Sequence, residues 1–261
     1  MNLDKNNYSS EQKLISIITV TLNAEKTIEK TINSVISHKK SNCEYIIIDG
    51  GSTDNTIKII KKYNAHINIL ISEIDNGIYD AFNKGLKNSN GCIIGFINSG
   101  DIYFPKALEI VEKYFLNNPR LDFLFGTTIK HKILHGFSPY LSRFSFGGWT
   151  THSAGFFIKK TSHLKVGYYN TNYKYCADFD FFLKMILKFK MLGTSTKKNE
   201  IIGQCALGGF SARINFIDKL CEMSKIRICL GQNKILVLII FIIRYLKNIN
   251  IIVKKKYINK Y

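Results

Sequence analysis

The chain has 261 residues, 46% of them hydrophobic, so it can bury a substantial core, and a disordered chain is excluded. Its formal net charge of +18 would suit nucleic acid, an anionic membrane or acidic ligands. Its six cysteines form no Cys-x-x-Cys pair, which argues against a zinc knuckle or a disulfide framework.

The first half of the chain predicts alternating strands and helices. Residues 1–13 are a polar extension without an apolar signal core, and we therefore expect a cytoplasmic protein. Apolar runs then predict strands over 14–22, 44–49, 67–72 and 92–97. Helical spacing predicts helices over 26–37, about 54–63, 78–88 and 105–117, the last with Pro105 in its first turn. This order is typical of an α/β fold with a doubly wound, mainly parallel sheet flanked by helices.

The second half has a weaker pattern. Residues 121–128 resemble a strand, 137–149 look like an insertion without a clear period, and 177–190 return to helical spacing. Residues 219–261 carry ten Lys or Arg against one acid, around an apolar run at 235–243. That run is too short to span a bilayer, which needs about 20 residues. It favours a basic segment lying on an anionic membrane, although a core helix or a partner-binding segment would look similar.

Polar residues follow three of the predicted strands. The carboxyl ends of parallel strands share one edge of a sheet, where ligands bind. An Asp at a strand end can accept hydrogen bonds from a base or a sugar hydroxyl, and glycines let a ligand approach the backbone. The segments predict a nucleotide pocket, although they contain neither a P-loop nor a Gly-x-Gly-x-x-Gly turn. The candidate binding residues are Thr19, Thr21, Asn23, Asp49, Gly50, Ser52, Asp54 and Asn98.

Asp101 is an isolated acid just beyond the apolar strand at 92–97. We expect it to hold a divalent cation that bridges to a diphosphate, with Lys84 as a second counter-charge. Simpler roles stay open at this point. Asp101 and Asn98 would also serve to turn the chain and cap a helix, and Lys84 would also suit a solvated helix face.

Four segments in this order resemble glycosyltransferase family 2, in the branch that builds bacterial capsular, colanic-acid-like or lipopolysaccharide sugars. The segments are 15–23, 46–56 (Ile-Ile-Ile-Asp-Gly-Gly-Ser-Thr-Asp-Asn-Thr), 72–85 (Ser-Glu-Ile-Asp-Asn-Gly-Ile-Tyr-Asp-Ala-Phe-Asn-Lys-Gly) and 96–101 (Phe-Ile-Asn-Ser-Gly-Asp). The resemblance covers about 14–212 and implies a GT-A fold. It implies a nucleotide-sugar half at 14–128 and an acceptor half at 129–218, followed by the tail at 219–261.

The resemblance also implies an activity: transfer of a sugar, with inversion, from a nucleotide-diphospho-sugar to a saccharide or lipid-linked saccharide, with UDP as the favoured nucleotide. Asp49 matches the residue that reads the base, and Thr21 lies in the segment lining the same pocket. The family's metal motif ends at Asp101, but Asn98 and Gly100 stand where carboxylates are common. We therefore expect Mg²⁺ or Mn²⁺ to be held largely by the diphosphate and water.

The segment 175–180 resembles the family's Glu-Asp motif and implies that Asp178 is the base that deprotonates the acceptor. Asp180 is the alternative, or else a first-turn acid favoured by the helix dipole. Residues 207–211 resemble a Gly-Gly-x-Ser element near the active site, or a plain glycine turn. His152 matches a polar position that would contact the phosphates or the acceptor, or else is simply packed.

Acceptors in this branch are commonly carried on a membrane lipid, so we expect the tail to keep the enzyme at the inner face of the plasma membrane. The thinned metal motif keeps one rival open, a non-catalytic nucleotide-sugar-binding protein. No nucleic-acid partner is expected, because the basic residues of the tail lie beside an apolar run without interleaved aromatics. A nucleotidyltransferase would show a glycine-rich basic loop after the first strand, which 21–25 does not.

Overall fold

The structure is a computed structural model that describes residues 14–144, 153–208 and 214–258, with the backbone alone for 143–144 and 250–258. Its first half alternates strands and helices, as the sequence predicts. The elements are β1 (Ile15–Thr21), α1 (Ile28–Ile36), β2 (Cys43–Asp49), α2 (Thr56–Lys61), β3 (Ile69–Ser72), α3 (Ile78–Lys87) and β4 (Ile93–Asn98), with a 3₁₀ turn at Asn64–His66.

The second half contains shorter strands and ends in two longer helices. The elements are β5 (Ile102–Tyr103), α4 (Ala107–Asn117), β6 (Phe123–Phe125), β7 (Thr127–Ile129), β8 (Ile133–Leu134), α5 (Pro139–Phe144), β9 (Phe156–Lys159), α6 (Lys160–Val166), α7 (Ala177–Leu183), β10 (Gly193–Ser195), β11 (Ile201–Gln204), α8 (Phe216–Cys229) and α9 (Lys234–Ile258). A π-helical turn, Lys184–Lys188, continues α7.

The strands form a large and a small sheet. The large sheet has the order β10-β6-β9-β4-β1-β2-β3, and the small one β5-β11-β7-β8. In the large sheet β9 runs antiparallel to β4 and β6, and the other neighbours are parallel. This mixed, mainly parallel sheet flanked by helices confirms the predicted fold class.

The core lies on both faces of the large sheet. Successive side chains of a strand point to opposite faces, so Ile17 packs in one apolar layer and Ile18 in the other. The first layer includes Ile32 of α1, and the second includes Phe82 of α3 and Phe181 of α7. Both faces are covered, which explains why the strands are continuous apolar runs rather than alternating ones.

Two predicted elements differ from the structure. The single strand expected over 121–128 is divided at Gly126 between β6 and β7, which belong to different sheets, and a Cβ at Gly126 would collide with the Ile202 side chain. Helix α4 begins at Ala107 rather than at Pro105. A turn closed by the Ala107 amide and the Phe104 carbonyl precedes it, with Lys106 in the left-handed region at φ 67°.

The last two helices pack against each other, and α8 also packs against α7. The expected boundary of the tail, between 218 and 219, falls inside α8. Within the described ranges, no helix combines the length and apolar character needed to cross a membrane. The tail therefore begins as part of the folded body before it continues into α9.

Candidate active site

The carboxyl ends of four adjacent parallel strands, β4, β1, β2 and β3, lie side by side at one edge of the large sheet. Thr21 of β1 pairs with Asp49 of β2, and Asp49 pairs with Ser72 of β3. At the end of β4, Asn98 lies beside Val20. The structure thus brings the three polar segments of the sequence together at this edge.

Three buried oxygen atoms at this edge have no hydrogen-bond partner among the described residues: Thr21 Oγ1, Asn98 Oδ1 and Asp101 Oδ2. Roughly 90% or more of buried polar groups in proteins are hydrogen-bonded, and leaving one unsatisfied costs about 1–3 kcal/mol. These atoms come from two adjacent strand ends. They are three polar atoms at this edge that could bond to a ligand.

Asp101 is held firmly while one of its oxygens stays available. Its Oδ1 accepts a hydrogen bond from the Ala206 amide at 2.7 Å, and its own amide donates to the Asn98 carbonyl at 2.9 Å. Burial raises the pKa of the Asp101 carboxyl, against the opposing effects of hydrogen bonds from Ala206 and Ser153. A cation at Oδ2 would offset the cost of burying the charged form.

The loop that carries Asp101 explains one departure from the metal motif. Gly100 has φ 97°, in the left-handed region where glycine is favoured over residues with a Cβ, so a carboxylate is disfavoured at this position. The Thr31 hydroxyl fixes this turn by donating to the Asp101 carbonyl at 2.8 Å and accepting from the Gly100 amide at 2.9 Å. In the described part of the chain no group of three or more His, Cys, Asp or Glu could hold a metal. A cation here would rely on Asp101, Asn98 and the ligand's own oxygens.

Asp49 organises the loop after β2. It is fully buried, and its Oδ2 accepts hydrogen bonds from the amides of Gly51 and Ser52 and from the Ser72 hydroxyl, at 2.9 to 3.1 Å. If Asp49 also binds the nucleotide base, as expected from the sequence, that contact adds to the hydrogen bonds that its carboxylate accepts from its own loop. Asp49 therefore sets the position of the backbone that a base would meet.

Three other predicted binding residues join the loop after β1 to the loop after β2. Asn23 donates its amide to Ser52 Oγ at 2.8 Å, and its Oδ1 accepts from the Thr53 amide at 2.9 Å. Asp54 accepts from the Glu25 amide at 3.1 Å. Burial tends to raise the pKa of Asp54, but hydrogen bonds from Thr56 and Glu25 hold it below its usual value. These contacts make one rigid wall of the two loops.

Thr19 is the predicted binding residue that the structure does not bring to this edge. It lies two residues before the end of β1, is fully buried, and its hydroxyl is 3.1 Å from the Tyr45 hydroxyl. Two residues along a strand correspond to about 6–7 Å, which separates Thr19 from the pocket. Thr19 is a core residue.

Asp75 was not singled out from the sequence, although it lies within one of the four family-like segments. A Cβ at Gly50 would collide with the Asp75 carboxylate, so the two loops meet closely where Gly50 lacks a side chain. Burial raises the pKa of the half-buried Asp75 carboxyl, and the Gly77 amide, which donates to Oδ1 at 2.9 Å, partly opposes this. Two features of the sequence could have indicated Asp75: a glycine, Gly50, just after β2 and an acid just after β3.

Lys84 lies against the loop after β3. Its Nζ is 3.0 Å from Glu73 Oε1 and 3.4 Å from Asp80 Oδ2, and it donates to the Ile74 carbonyl at 3.2 Å. Burial lowers the pKa of Lys84, but the hydrogen bond to Glu73 and the charge of Asp80 more than offset this and raise it. In this arrangement Lys84 braces the loop that carries Asp75.

Asp178 and Asp180 lie in the first turn of α7 in different surroundings. Asp178 is half-buried, and its Oδ1 accepts from the Tyr79 hydroxyl at 2.9 Å and the Phe179 amide at 2.8 Å. Asp180 is 3% exposed and forms an ion pair with Lys184 at 2.6 Å. The two remaining candidates, His152 and the Gly209 to Ser211 part of the Gly-Gly-x-Ser element, lie outside the described residues.

Comparison with known proteins gives a consistent result. The family model for glycosyl transferase family 2 matches residues 16–186. A curated Escherichia coli protein, UDP-Glc:alpha-D-GlcNAc-diphosphoundecaprenol beta-1,3-glucosyltransferase WfgD, is 35% identical over 114 residues, which is 43% of this chain and 45% of that protein. This chain therefore matches less than half of the length of that relative.

Solved structures share the fold at low identity. S. aureus TarS in complex with UDP-GlcNAc has a TM-score of 0.68 at 18% identity, over 87% of this chain and 70% of that one. A mannosyltransferase from Pyrobaculum calidifontis, in complex with GDP-Man and Mn²⁺, has a TM-score of 0.63 at 14% identity, over 85% of this chain and 65% of that one. At these identities the likeness establishes the fold alone.

Proposed function

Because the chain belongs to glycosyl transferase family 2, we propose that it moves a sugar from a nucleotide-diphospho-sugar to a saccharide acceptor in bacterial surface polysaccharide biosynthesis. Its fold is the GT-A fold expected from the resemblance. The observation that carries the proposal is a set of three buried oxygens, on Thr21, Asn98 and Asp101, that have no hydrogen-bond partner among the described residues and lie where β1 and β4 end. Ligands of open α/β sheets bind beyond such strand ends.

The nucleotide would lie against the wall formed by the loops after β1 and β2. Asp49 fixes the turn at Gly51 and Ser52, and Thr21 Oγ1 is available beside it. UDP is the favoured nucleotide, since the E. coli relative is named for UDP-Glc and the S. aureus structure contains UDP-GlcNAc. Asn23, Ser52 and Asp54 would support this wall, with Gly50 and Asp75 at its rim.

The residues at the end of β4 fit a divalent cation. Asp101 Oδ2 and Asn98 Oδ1 are the oxygen donors that Mg²⁺ and Mn²⁺ prefer, and both are buried without partners in the described ranges. Such an ion, when bound, would neutralise charge on the departing diphosphate. With one carboxylate at the site, the donor diphosphate would supply much of the coordination.

Asp178 is our candidate for the base. It is half-buried at the start of α7, whereas Asp180 is buried and paired with Lys184. Asp178 would accept the proton of the acceptor hydroxyl, whose oxygen then forms the bond to the anomeric carbon as the bond to the diphosphate breaks on the opposite face. Transfer in this geometry inverts the anomeric configuration.

The acceptor is proposed to be lipid-linked and presented at the inner face of the plasma membrane. Helix α9 shows an exposed apolar face formed by Ile235, Leu238, Ile239, Ile242, Leu246 and Ile249, here called the α9 face. The helix lies in the basic end of the chain, and apolar area beside positive charge suits an anionic membrane surface. The enzyme would then be a peripheral cytoplasmic protein, with 14–128 holding the donor and 129–218 the acceptor.

A panel of UDP-, GDP- and dTDP-sugars tests the donor class. Ligands that bind the native state raise its melting temperature, and we expect a selective shift for one nucleotide that increases with Mn²⁺. Transfer by the purified protein to saccharide and short-chain lipid-diphosphosaccharide acceptors then separates an enzyme from a non-catalytic binding protein. No shift with any nucleotide-sugar would contradict the proposal.

A further inference from the structure

The segment just before α7 is anchored by a carboxylate of the tail. Glu222, on α8, accepts hydrogen bonds from two successive amides: Lys174 N to Oε1 and Tyr175 N to Oε2, both at 2.8 Å. Hydrogen bonds to a carboxylate are stronger than those between neutral groups, by roughly a factor of two. The position of the chain three residues before Asp178 is thereby fixed by a helix that lies beyond the family match.

Tyr79, on α3, meets the same segment from the other side. Its hydroxyl oxygen is 2.9 Å from both the Tyr175 carbonyl and Asp178 Oδ1, so its single proton is shared between these two acceptors. The ring is buried and packs beside Phe82 and Tyr169, with centroids 6.3 and 5.9 Å away. Burial, and then the charge of Asp178, raise the pKa of Tyr79 well above its ordinary value, so the phenol keeps its proton and remains a donor.

These contacts orient the carboxylate of Asp178. The Tyr79 hydroxyl and the Phe179 amide both donate to Oδ1. The other oxygen, Oδ2, takes part in neither of these hydrogen bonds and would be the one that accepts a proton. A base must hold its accepting oxygen within hydrogen-bond reach of the hydroxyl, and small misplacements lower the rate strongly.

Apolar contacts bring α8 to the same place. Ile226 of α8 belongs to a buried cluster with Cys176, Phe179 and Leu183, and the Arg227 guanidinium lies 5.2 Å from the centroid of the Phe179 ring. Helix α8 therefore packs against the start of α7 through side chains, and its Glu222 carboxylate binds two backbone amides of the segment just before α7.

We propose that Tyr79 and Glu222 are positioning residues for the reaction: Tyr79 holds Oδ1 of Asp178, and Glu222 fixes the backbone that carries it. In this proposal helix α8 helps to align the base, in addition to connecting the rest of the chain to helix α9. The inference rests on the proposed role of Asp178 as the base.

Y79F and E222Q test the proposal with the full chain and the donor that the nucleotide-sugar panel selects. Each variant should lower kcat about 10- to 100-fold, the equivalent of one hydrogen bond to a charged group. The KM for the donor and the Kd for UDP should stay within about twofold, because the strand-end pocket is not touched. Y79F keeps the buried ring, so it serves as the test even if E222Q lowers the melting temperature.

Tyr114 and Glu200 provide matched controls. The Tyr114 hydroxyl donates to Glu200 Oε2 at 2.6 Å, and the same oxygen accepts from the Lys197 amide at 2.9 Å. Y114F and E200Q therefore remove the same kinds of hydrogen bond away from Asp178, and kcat should not change. Equal losses of kcat in the controls would attribute the effect to general destabilisation and overturn the inference.

D178N separates this inference from the proposed function. If D178N retains transfer, the base assignment itself is wrong. If D178N abolishes transfer while Y79F keeps the kcat of the wild type, the base assignment stands and the positioning role of Tyr79 is refuted. A rise in donor KM or UDP Kd in place of a fall in kcat would also refute it.

Discussion

Asp101 combines near-complete burial with a carboxylate oxygen that has no partner among the described residues. Its raised pKa means that the folded state holds the charged form less well than the unfolded chain does. Above that pKa the charge costs stability, and this cost falls as the pH drops through it. A bound cation would remove the same cost. We therefore expect the charge of Asp101, which would bind the cation, to lower the stability of the metal-free protein.

D101N should stabilise the metal-free protein by about 1 kcal/mol, or about 2–4 °C in melting temperature. Asparagine loses the charge, while its Oδ1 can still accept from the Ala206 amide. The same variant should lose any Mn²⁺-dependent shift in the presence of the donor. D122N is the control: Asp122 accepts from Ser162 Oγ at 2.6 Å and the Leu192 amide at 2.8 Å. It should lower stability and keep the shift, and a Mn²⁺ response retained by D101N would refute the metal site.

Asp178 and Asp180 form a matched pair for testing the base. D178N should lower kcat by about 10²–10⁴-fold with unchanged UDP binding, since general-base catalysis contributes about that much. D180N breaks the ion pair with Lys184 and should cost stability, on the order of 1 kcal/mol, with a far smaller change in kcat. Steady-state kinetics and calorimetry check both. The reverse pattern would make Asp180 the base.

At this scale the sequence predicted where polar residues gather, because strand ends and parallel pairing follow from residue pattern. It did not predict which oxygens are already used. The Asp49 carboxylate already accepts hydrogen bonds from its own loop, and the Lys84 ammonium already pairs with the Glu73 carboxylate. The Lys84 pair with Asp80 was readable from their spacing of four on a helix. Thr19 lies in the core, since a polar residue inside a buried strand can bond to a neighbouring strand.

At the scale of single elements, helix α9 allows a specific prediction about membrane binding. Its exposed apolar residues recur at spacings of three and four, while Val237 and Ile240 are buried on the other side. The double variant L238E/I242E places charges on the α9 face without removing the buried contacts. It should reduce sedimentation with anionic vesicles at least tenfold, because each side chain contributes apolar burial and the charges oppose the anionic surface.

L164E is the control for that experiment. Leu164 on α6 is also exposed, at 47%, but it lies outside the α9 face. Its variant should bind vesicles like the wild type. If L238E/I242E sediments with anionic vesicles like the wild type, the proposed membrane surface is refuted. If L164E loses as much sedimentation as L238E/I242E, the added negative charge alone is responsible.

The strands and helices of the first half could be predicted from the spacing of their apolar residues, because the residues that each element buries recur at the period of that element. Those of the second half depend on distant partners. Gly126 ends β6 because Ile202, from a strand far along the chain, occupies the space of a Cβ. The contact of α8 with α7 likewise depends on Glu222 meeting two amides almost 50 residues earlier. Such contacts leave no periodic signal in the sequence.

At the scale of the whole molecule, the proposed enzyme has three parts: a strand-end pocket for the donor, a helix start with the base, and a basic end that carries the α9 face. The family match covers the first two and ends at residue 186. Helix α8 lies beyond that match, yet it contacts the segment before Asp178. Family membership thus indicates the chemistry, whereas the proposed alignment of the base also involves a helix that lies beyond the family match.

The most direct test of the central claim is to identify the product made by the purified protein from the selected nucleotide-sugar and an acceptor. Mass spectrometry should show the acceptor gaining one sugar for each nucleoside diphosphate released. NMR should show the anomeric configuration inverted relative to the donor. Binding of the nucleotide-sugar without a glycosylated product, or a product with retained configuration, would contradict the account.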